Sequence, residues 1–230
     1  MPTRLLIHGA SGRMGQALLR LAADDPGLAV VGAVSRKPTQ RVIDGVPQFG
    51  ASELRGVPPF DVAIDFSLPA GFDTLLALCL ERGAALVSGT TGLSNTQLAA
   101  IDSAAQRIAI LWAANFSLGV AVLTELVERA AEALPRWQCD ILEQHHVHKQ
   151  DAPSGTALAL GAAAGSKRYV SIRAGDIVGD HTVQFTGEGE RLELVHRAGN
   201  RDIFARGALH AAARLAGRPP GRYALRDLLE

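Results

Sequence analysis

A short apolar run leads directly into a glycine loop in the stretch Arg4-Leu5-Leu6-Ile7-His8-Gly9-Ala10-Ser11-Gly12-Arg13-Met14-Gly15. The apolar run predicts a buried strand, and the residues behind the loop predict a helix that ends near residue 23. A strand, a glycine loop and a helix in this order are typical of a Rossmann-like fold. The glycines allow a pyrophosphate to approach the main chain at the helix N-terminus.

Short strands and helices continue to alternate beyond this opening. We predict strands over residues 28–34, 62–66, 85–88 and 108–112, with helices over 70–82 and 94–106. This alternation favours an α/β fold with a doubly wound parallel sheet.

The pattern changes after residue 117. We predict a helix over 118–134, a strand over 138–148, a helix over 156–165, strands at meander spacing over 169–173, 181–187 and 191–197, and a helix over 204–215. This order indicates an inserted α+β domain. We therefore expect a dinucleotide-binding domain made of residues 1–117 and 205–230, and a second domain made of residues 118–204.

Charge and composition limit the partners of the chain. Lys+Arg and Asp+Glu number 23 each, so no net positive field attracts nucleic acid or a membrane surface. No apolar run reaches the ~20 residues of a membrane span, and we expect no secretory signal, because Pro2-Thr3-Arg4 leads directly into a short apolar strand. Cys79 and Cys139 lie in apolar contexts that predict reduced core thiols. We expect a cytoplasmic protein that binds neither nucleic acid nor a membrane.

The glycine loop has the spacing G-x-x-G-x-x-G, with Ala10 in the place of the first glycine of the commoner G-x-G-x-x-G. The alternative is a tight turn without a ligand.

The second strand ends in Ser35-Arg36-Lys37, where a strictly NAD-dependent protein would carry a carboxylate. Arg36 and Lys37 could pair with a 2′-phosphate, which favours NADPH over NADH. Two solvated surface charges are the alternative.

Three further strand ends carry small or polar groups, namely Asp65-Phe66-Ser67, Gly89-Thr90-Thr91 and Ala113-Ala114-Asn115-Phe116. Ligands of doubly wound sheets lie at the carboxyl ends of the strands. The threonine hydroxyls and main-chain groups could hold the nicotinamide and its ribose, and a phenylalanine could cover the ring. For each phenylalanine taken singly, core packing is the alternative.

The segment Glu143-Gln144-His145-His146-Val147-His148-Lys149-Gln150-Asp151-Ala152-Pro153-Ser154-Gly155-Thr156 combines proton donors with a helix start. Histidine titrates near neutral pH, and the N–H groups behind an N-cap at Ser154 could bind a carboxylate. A metal site is the alternative, because His146 and His148 would share one face of a strand. Lys149 would repel that metal, and no cysteine or carboxylate completes the ligand set, so we predict none.

With these motifs in place, the chain resembles the dihydrodipicolinate reductase family from Leu5 to Leu228. A second stretch that matches the family is Ala174-Gly175-Asp176-Ile177-Val178-Gly179-Asp180-His181. The resemblance implies a nucleotide domain and a substrate domain whose sheet forms the core of a homotetramer. It also implies hydride transfer from NADPH or NADH to the unsaturated ring of a cyclic dicarboxylate, with loss of water.

The resemblance also implies roles for individual residues. His145 and Lys149 match the catalytic proton-transfer groups, whereas His146, Gly155 and Thr156 match substrate contacts. The cofactor positions match Gly9, Ala10, Ser11, Gly12, Arg13, Met14, Arg36, Gly89, Thr90, Thr91, Ala113, Ala114, Asn115 and Phe116.

The chain departs from the family pattern in one connection. Gly165-Ser166-Lys167-Arg168 replaces a loop that is usually longer by about twenty residues.

Two other classes of function stay open from the residues alone. A non-catalytic NAD(P) sensor would need the glycine loop but not the histidine–lysine cluster. An aspartate or homoserine dehydrogenase would share the first domain but not the histidine segment.

Overall fold

The computed structural model describes residues 1–229, which form two compact units. The first unit contains Met1–Phe116 and resumes at Phe204, whereas the second unit is Ser117–Ile203. No helix among residues 1–229 combines the length and the apolar composition that a membrane-spanning segment requires.

The strands in chain order are β1 (Thr3–His8), β2 (Leu28–Ser35), β3 (Val42–Ile43), β4 (Val46–Gly50), β5 (Val62–Asp65), β6 (Ala85–Ser88), β7 (Ala109–Trp112), β8 (Gln138–His145), β9 (Tyr169–Arg173), β10 (Asp180–Thr186), β11 (Arg191–Arg197) and β12 (Gly221–Tyr223). The helices are α1 (Arg13–Ala23), α2 (Pro69–Arg82), α3 (Asn95–Ala104), α4 (Leu118–Ala133), α5 (Gly155–Ala164) and α6 (Asp202–Leu215). Short 3-10 turns cover Ala51–Gly56 and Leu225–Leu228.

The first unit is built on an eight-stranded sheet in the order β12-β7-β6-β5-β1-β2-β4-β3, which is parallel except for the β3–β4 pair. Its central strands are continuous apolar runs with residues such as Leu6, Ile64 and Leu86 fully buried, because helices cover parallel sheets on both faces. The predicted doubly wound α/β sheet is confirmed. Strands β3, β4 and β12 were not predicted, since each is at most five residues long and contains or lies within two residues of a glycine or proline.

The second unit contains a four-stranded sheet in the order β11-β10-β8-β9. Strand β10 pairs antiparallel with both β8 and β11, but β9 pairs parallel with β8. The meander prediction is therefore wrong for residues 169–173. Helix α5 forms a crossover between β8 and β9, and a crossover of this kind returns the chain parallel to the strand it left.

The strand predicted over residues 138–148 ends at His145. Lys149 N donates to His146 O at 3.1 Å, so the chain turns instead of continuing the strand. Within β8 every second residue is buried, and Cys139, Ile141, Glu143 and His145 share the covered face.

Candidate active site

The residues predicted to bind a cofactor lie at one edge of the first unit's sheet. The registers His8 to Asp65 and Asp65 to Ser88 align the carboxyl ends of three neighbouring strands. Main-chain bonds from Gly89 N to Asp65 O at 2.9 Å and from Ala113 N to Ser88 O at 3.1 Å continue this alignment into the loops. The carboxyl edge of a doubly wound sheet is where ligands bind.

The glycine loop admits no larger residue at two positions. Gly9 has φ +83°, and a Cβ there would lie 2.5 Å from Phe66 O. A Cβ at Gly15 would collide with the carbonyl oxygen of Gly9 and lie 2.5 Å from Ala10 Cα. The loop is therefore held against β5 and α1 at distances that only glycine permits.

Helix α1 begins directly behind this loop. Its N-cap, Gly12, supplies no side-chain hydrogen bond, and the first turn contains no acidic residue. The N–H groups at such a helix start favour an anion, so the strand, loop and helix fit the pyrophosphate of a dinucleotide. Ser11 and Arg13 are exposed at this end, and Met14 is half-buried.

A buried network around Asp65 was not predicted from the sequence. Asp65 is 0% exposed, and its Oδ1 lies 2.8 Å from His8 Nδ1. Its Oδ2 accepts bonds from Ser88 Oγ at 3.0 Å and Thr90 Oγ1 at 2.7 Å. Burial by itself raises the pKa of this carboxyl, but the bonds from His8, Ser67 and Thr90 outweigh it and hold the pKa below its usual value. The Thr90 hydroxyl is thus committed to Asp65.

The neighbouring predicted residues differ in exposure. Thr91 and Ala114 are exposed, while Ala113 and Asn115 are half-buried. The Phe116 side chain is buried and meets the Phe66 ring edge to face, with the centroids 5.3 Å apart. The Phe116 side chain therefore packs in the core.

Beyond the end of β2 lies an open cavity of about 340 Å³. It is lined by Arg36, Lys37, Pro38, Thr39, Gln40, Arg41, Gly50, Ser52 and Glu53. Arg41 pairs with Glu53, with Nη1 and Oε1 2.7 Å apart, whereas Arg36 and Lys37 are exposed. This cavity concentrates cations where a phosphate on the adenosine ribose would be expected.

In the second unit, His145 stands at the end of β8. The residue is 8% exposed, and its Nδ1 lies 2.5 Å from Glu143 Oε2. A Cβ at Gly179 would lie 3.0 Å from His145 Nε2, so glycine at this position leaves room beside the ring. The ring also meets His181 edge to face, with the centroids 5.2 Å apart.

The buried Glu143 forms an ion pair with the half-buried Arg173 behind His145. Arg173 Nη1 donates to Glu143 Oε2 at 2.9 Å, and Nη2 donates to Oε1 at 2.8 Å. Burial alone would raise the pKa of Glu143, but hydrogen bonds from Arg173, Ser171 and His145 lower it to about 2. Sequence reasoning missed this pair, because the parallel pairing of β8 and β9 brings the two residues together.

Lys149 lies in the turn that follows β8. Its Nζ is 2.8 Å from Asp151 Oδ1, and its side chain is 22% exposed. The hydrogen bond from Lys149, followed by weaker effects that include the charge of Arg173, lowers the pKa of Asp151. The ammonium of Lys149 is therefore held by a carboxylate yet reaches the surface.

Helix α5 begins where the turn ends. Ser154 Oγ accepts a bond from Ala157 N at 3.2 Å, which confirms Ser154 as the N-cap. Gly155 is exposed, and a Cβ there would meet no atom within 4 Å. Thr156 is half-buried. An open glycine at a capped helix N-terminus suits the approach of an anion.

His181 joins this group from β10. Its Nε2 is 3.3 Å from Ser154 Oγ, and its buried Nδ1 has no hydrogen-bond partner among residues 1–229. Burial, reinforced by the neighbouring His145, lowers the pKa of His181 to about 4. His181 is therefore neutral near neutral pH.

The strand-face argument for a metal is wrong, because His146 and His148 follow the end of β8. Their ring centroids are 6.3 Å apart, and His146 Nε2 lies 3.1 Å from Arg201 Nη2. Partial burial, then the charge of Arg201, lowers the pKa of His146. Residues 1–229 contain no group of three or more His, Cys, Asp or Glu side chains that could hold a metal ion.

A dinucleotide-type glycine loop in the first unit, and histidines and a lysine beside a helix N-terminus in the second, are the features of an oxidoreductase that uses a nicotinamide cofactor. The chain belongs to the dihydrodipicolinate reductase family. The family's N-terminal model matches residues 3–116, and its C-terminal model matches residues 119–229.

Several relatives carry the name 4-hydroxy-tetrahydrodipicolinate reductase. The protein from Xanthomonas axonopodis pv. citri is 74% identical, with 98% of this chain and 97% of that protein covered. The protein from Stenotrophomonas maltophilia K279a is 70% identical, with 100% and 98% covered. The protein from Xylella fastidiosa 9a5c is 64% identical, with 98% of each covered.

Solved structures share the fold. A dipicolinate-bound dihydrodipicolinate reductase from Paenisporosarcina sp. TG-14 matches with a TM-score of 0.85 and 23% identity, covering 99% of this chain and 100% of that chain. A DAP dehydrogenase from C. glutamicum matches with a TM-score of 0.66 and 14% identity, covering 99% and 95%.

The short connection at residues 165–168 is not peculiar to this chain. The three relatives align over 231 to 235 residues and are covered over 97% to 98% of their own lengths. They are therefore about as short as this protein.

Proposed function

We propose that this protein reduces 4-hydroxy-tetrahydrodipicolinate to tetrahydrodipicolinate, with loss of water, in the diaminopimelate route of lysine biosynthesis. Family membership over both halves of the chain supports the reaction. The observation that carries the proposal is the segment from β8 to α5. It places His145, Lys149 and an open helix N-terminus within one short stretch of the second unit.

The first unit holds the cofactor. When bound, the reduced nicotinamide supplies a hydride. The glycine loop of residues 9–14 and the start of α1 would bind the pyrophosphate. The loops at residues 89–91 and 113–116 would bind the nicotinamide half, through main-chain groups at Thr90 because its hydroxyl is bonded to Asp65.

The second unit supplies the proton. Hydride addition to a conjugated C=C–C=N system leaves electron density on the nitrogen side of the ring, and a positioned acid that transfers a proton there accelerates such steps typically ~10²–10⁴-fold. His145 Nε2 and Lys149 Nζ are the groups we assign to this transfer. Asp151 Oδ1 lies 2.8 Å from Lys149 Nζ and so positions the ammonium in the turn after β8.

The substrate's carboxylates need local partners, because the chain has formal net charge +0. We assign one carboxylate to the α5 N-terminus at Gly155 and Thr156, because a Cβ at Gly155 would meet no atom within 4 Å and an anion can approach there. His146, which follows β8, is assigned to the substrate as well. Its ring lies beside Arg201, whose guanidinium adds positive charge at this position.

We favour NADPH over NADH. Arg36 and Lys37 line the cavity beyond β2 and are exposed, while Arg41 is already paired with Glu53. Charged hydrogen bonds of this kind contribute ~1.5–3 kcal/mol each. The first two cations therefore suit the 2′-phosphate that only NADPH carries.

We retain the homotetramer and the cytoplasmic location as predictions. Strands β9 and β11 expose Val170, Ile172, Leu192 and Val195, and apolar side chains repeated along the edge strands of a sheet suit a contact with other copies.

The test is the oxidation of NADPH and NADH, with substrate formed in situ by condensing pyruvate with aspartate semialdehyde. Lys149→Ala should lower turnover by roughly 100-fold while NADPH binding persists. Lys167→Ala, which removes an exposed lysine of the same unit, should leave turnover unchanged. No substrate-dependent oxidation by the wild type, with NADPH bound, would overturn the proposed reaction.

The cofactor preference has its own test. Arg36→Ala should raise the Michaelis constant for NADPH by ~10-fold or more and leave that for NADH unchanged. Arg55→Ala removes an exposed arginine from the same unit and is the control. Equal effects on both cofactors would argue against a phosphate contact at Arg36.

A further inference from the structure

We propose that the Glu143–Arg173 ion pair is a positioning device that fixes the tautomer of His145, so that Nδ1 carries a hydrogen and Nε2 is the atom that transfers the proton. This inference rests on the proposed role of His145 in the reduction. It assigns functions to two residues that would not themselves touch the substrate.

The tautomer follows from the chemistry of the carboxylate. Glu143 Oε2 lies 2.5 Å from His145 Nδ1, and an ionised carboxylate can only accept a hydrogen bond. His145 must therefore donate from Nδ1, whether its ring is neutral or protonated. Nε2 is left as the nitrogen that gains and loses the proton.

Arg173 keeps the carboxylate ionised. Glu143 is 0% exposed, and a buried carboxylate without a partner would take up a proton. Arg173 meets both oxygens, at 2.8 and 2.9 Å, and hydrogen bonds from Arg173, Ser171 and His145 outweigh burial and hold the pKa of Glu143 at about 2. A protonated Glu143 could donate to Nδ1 and so reverse the tautomer of His145.

The same pair also anchors the segment that carries Lys149. Arg173 Nε donates to Lys149 O at 3.3 Å, and Nη2 donates to Asp151 O at 2.5 Å. Glu143 Oε1 accepts a bond from Ser154 N at 3.3 Å, where α5 begins. One buried ion pair thus sets the positions of the His145 ring, the Lys149 turn and the helix N-terminus.

Other charged and titratable groups face His145 and are common to every variant below. His181 meets the ring from β10, while His146, Lys149 and Asp151 lie on the segment that follows β8. Because these groups are unchanged, a difference in pH dependence between wild type and a Glu143 variant reports the carboxylate itself.

The test compares Glu143→Gln with Asp140→Asn. Asp140 also lies on β8, and it pairs with Arg168 next to the start of β9 at 2.6 Å, away from His145. Glu143→Gln should lower kcat by ~100-fold or more, by analogy with the loss of the carboxylate behind a catalytic histidine. It should also alter the pH profile of kcat, because the carboxylate behind the proton-transfer group is gone. Asp140→Asn should change neither.

A folding defect is separated from the positioning role by two further measurements. Glu143→Gln/Arg173→Gln leaves no unpaired buried charge, so it should fold, bind NADPH as the wild type does, and still show the loss of kcat. The ¹⁵N shifts of His145 should report hydrogen on Nδ1 in the wild type and a mixture of tautomers in the double variant, whatever the activity.

The outcomes are distinct. Wild-type kcat, pH profile and tautomer in a folded Glu143→Gln would overturn the positioning role. A neutral wild-type His145 ring with its hydrogen on Nε2 instead of Nδ1 would overturn it as well. Wild-type turnover in His145→Gln would instead remove His145 from the reaction and leave the tautomer result to stand alone.

Discussion

Replacement of His181 by glutamine should make the protein less sensitive to acid. His181 lies in β10, is 4% exposed, and contacts the His145 ring and Ser154 Oγ. Burial, followed by the charge of His145, lowers its pKa from 6.5 to about 4 in the folded protein. Unfolding returns the imidazole to water, where its pKa is ordinary.

The sign of the effect follows from proton binding. Between pH 6.5 and about 4 the unfolded chain binds a proton at His181 that the folded chain does not. Stability therefore falls as the pH falls through this window. The full difference corresponds to about 3 kcal/mol of unfolding free energy, and about 2 kcal/mol of it is lost by about pH 5.

Glu143 does not obscure this window. Its folded pKa of about 2 lies below the ordinary value of 4.5, so its contribution to stability is present above pH 4.5 and is lost only as the pH falls further. Measurements at about pH 8 and about pH 5 thus isolate the histidines.

The assay is urea unfolding of wild type, His181→Gln and His148→Gln at both pH values. The wild-type free energy of unfolding should drop by about 2 kcal/mol more than that of His181→Gln. His148 is exposed, so His148→Gln should show the wild-type drop. A loss of packing energy in His181→Gln that is the same at both pH values cancels, because only the change in unfolding free energy between the two pH values is compared. Equal drops in wild type and His181→Gln would refute the reasoning.

Two further substitutions test the first unit. Asp65→Asn should lower the free energy of unfolding, measured in urea, by about 3 kcal/mol, because it disrupts a buried charged network. The control is Asp61→Asn at the other end of β5, which breaks only a partly exposed pair with Arg4 and should cost under about 1 kcal/mol. Equal losses in the two variants would contradict a special role for the network. Gly207→Ala should destabilise the protein by about 2 kcal/mol or more in thermal unfolding, because the added Cβ would collide with the Phe116 carbonyl oxygen. Gly56 has open space around it, so Gly56→Ala should change the stability by no more than about 0.5 kcal/mol.

The first unit could be predicted closely because its signals are local. Strands β1, β5 and β6 are apolar runs that are each followed directly by a helix, so strand, loop and helix appear in sequence order. The loops predicted to bind the cofactor then follow from the rule that ligands lie where parallel strands end, at one edge of the sheet. Strands β3, β4 and β12 depend on neighbours rather than on their own short sequences.

The second unit was harder to predict because β8 lies between β9 and β10, so these two strands are consecutive in the chain but are not neighbours in the sheet. The spacing of residues 169–173 fitted a meander, but the choice of β8 as the neighbour of β9 depends on where α5 packs. In the sequence, the residue pattern of β8 also continues from His145 through residues 146–148. The chain nevertheless leaves the sheet at His145, because a turn held by Lys149 N and His146 O begins there.

The partners of His145 show where local reasoning stops and what it still allows. The period-two pattern of β8 puts Glu143 on the same face as Cys139, Ile141 and His145, and two of these are apolar. A carboxylate on an apolar face must be paired, since an unpaired buried charge is prohibitively unstable. The sequence therefore implies that a cation meets Glu143, and that His145 shares its carboxylate. It does not identify that cation, because Arg173 is set by the parallel register of β8 and β9, in which His145 lies opposite Arg173. Candidate proton-transfer residues can thus be predicted from a motif, whereas the residues proposed to orient them require the fold.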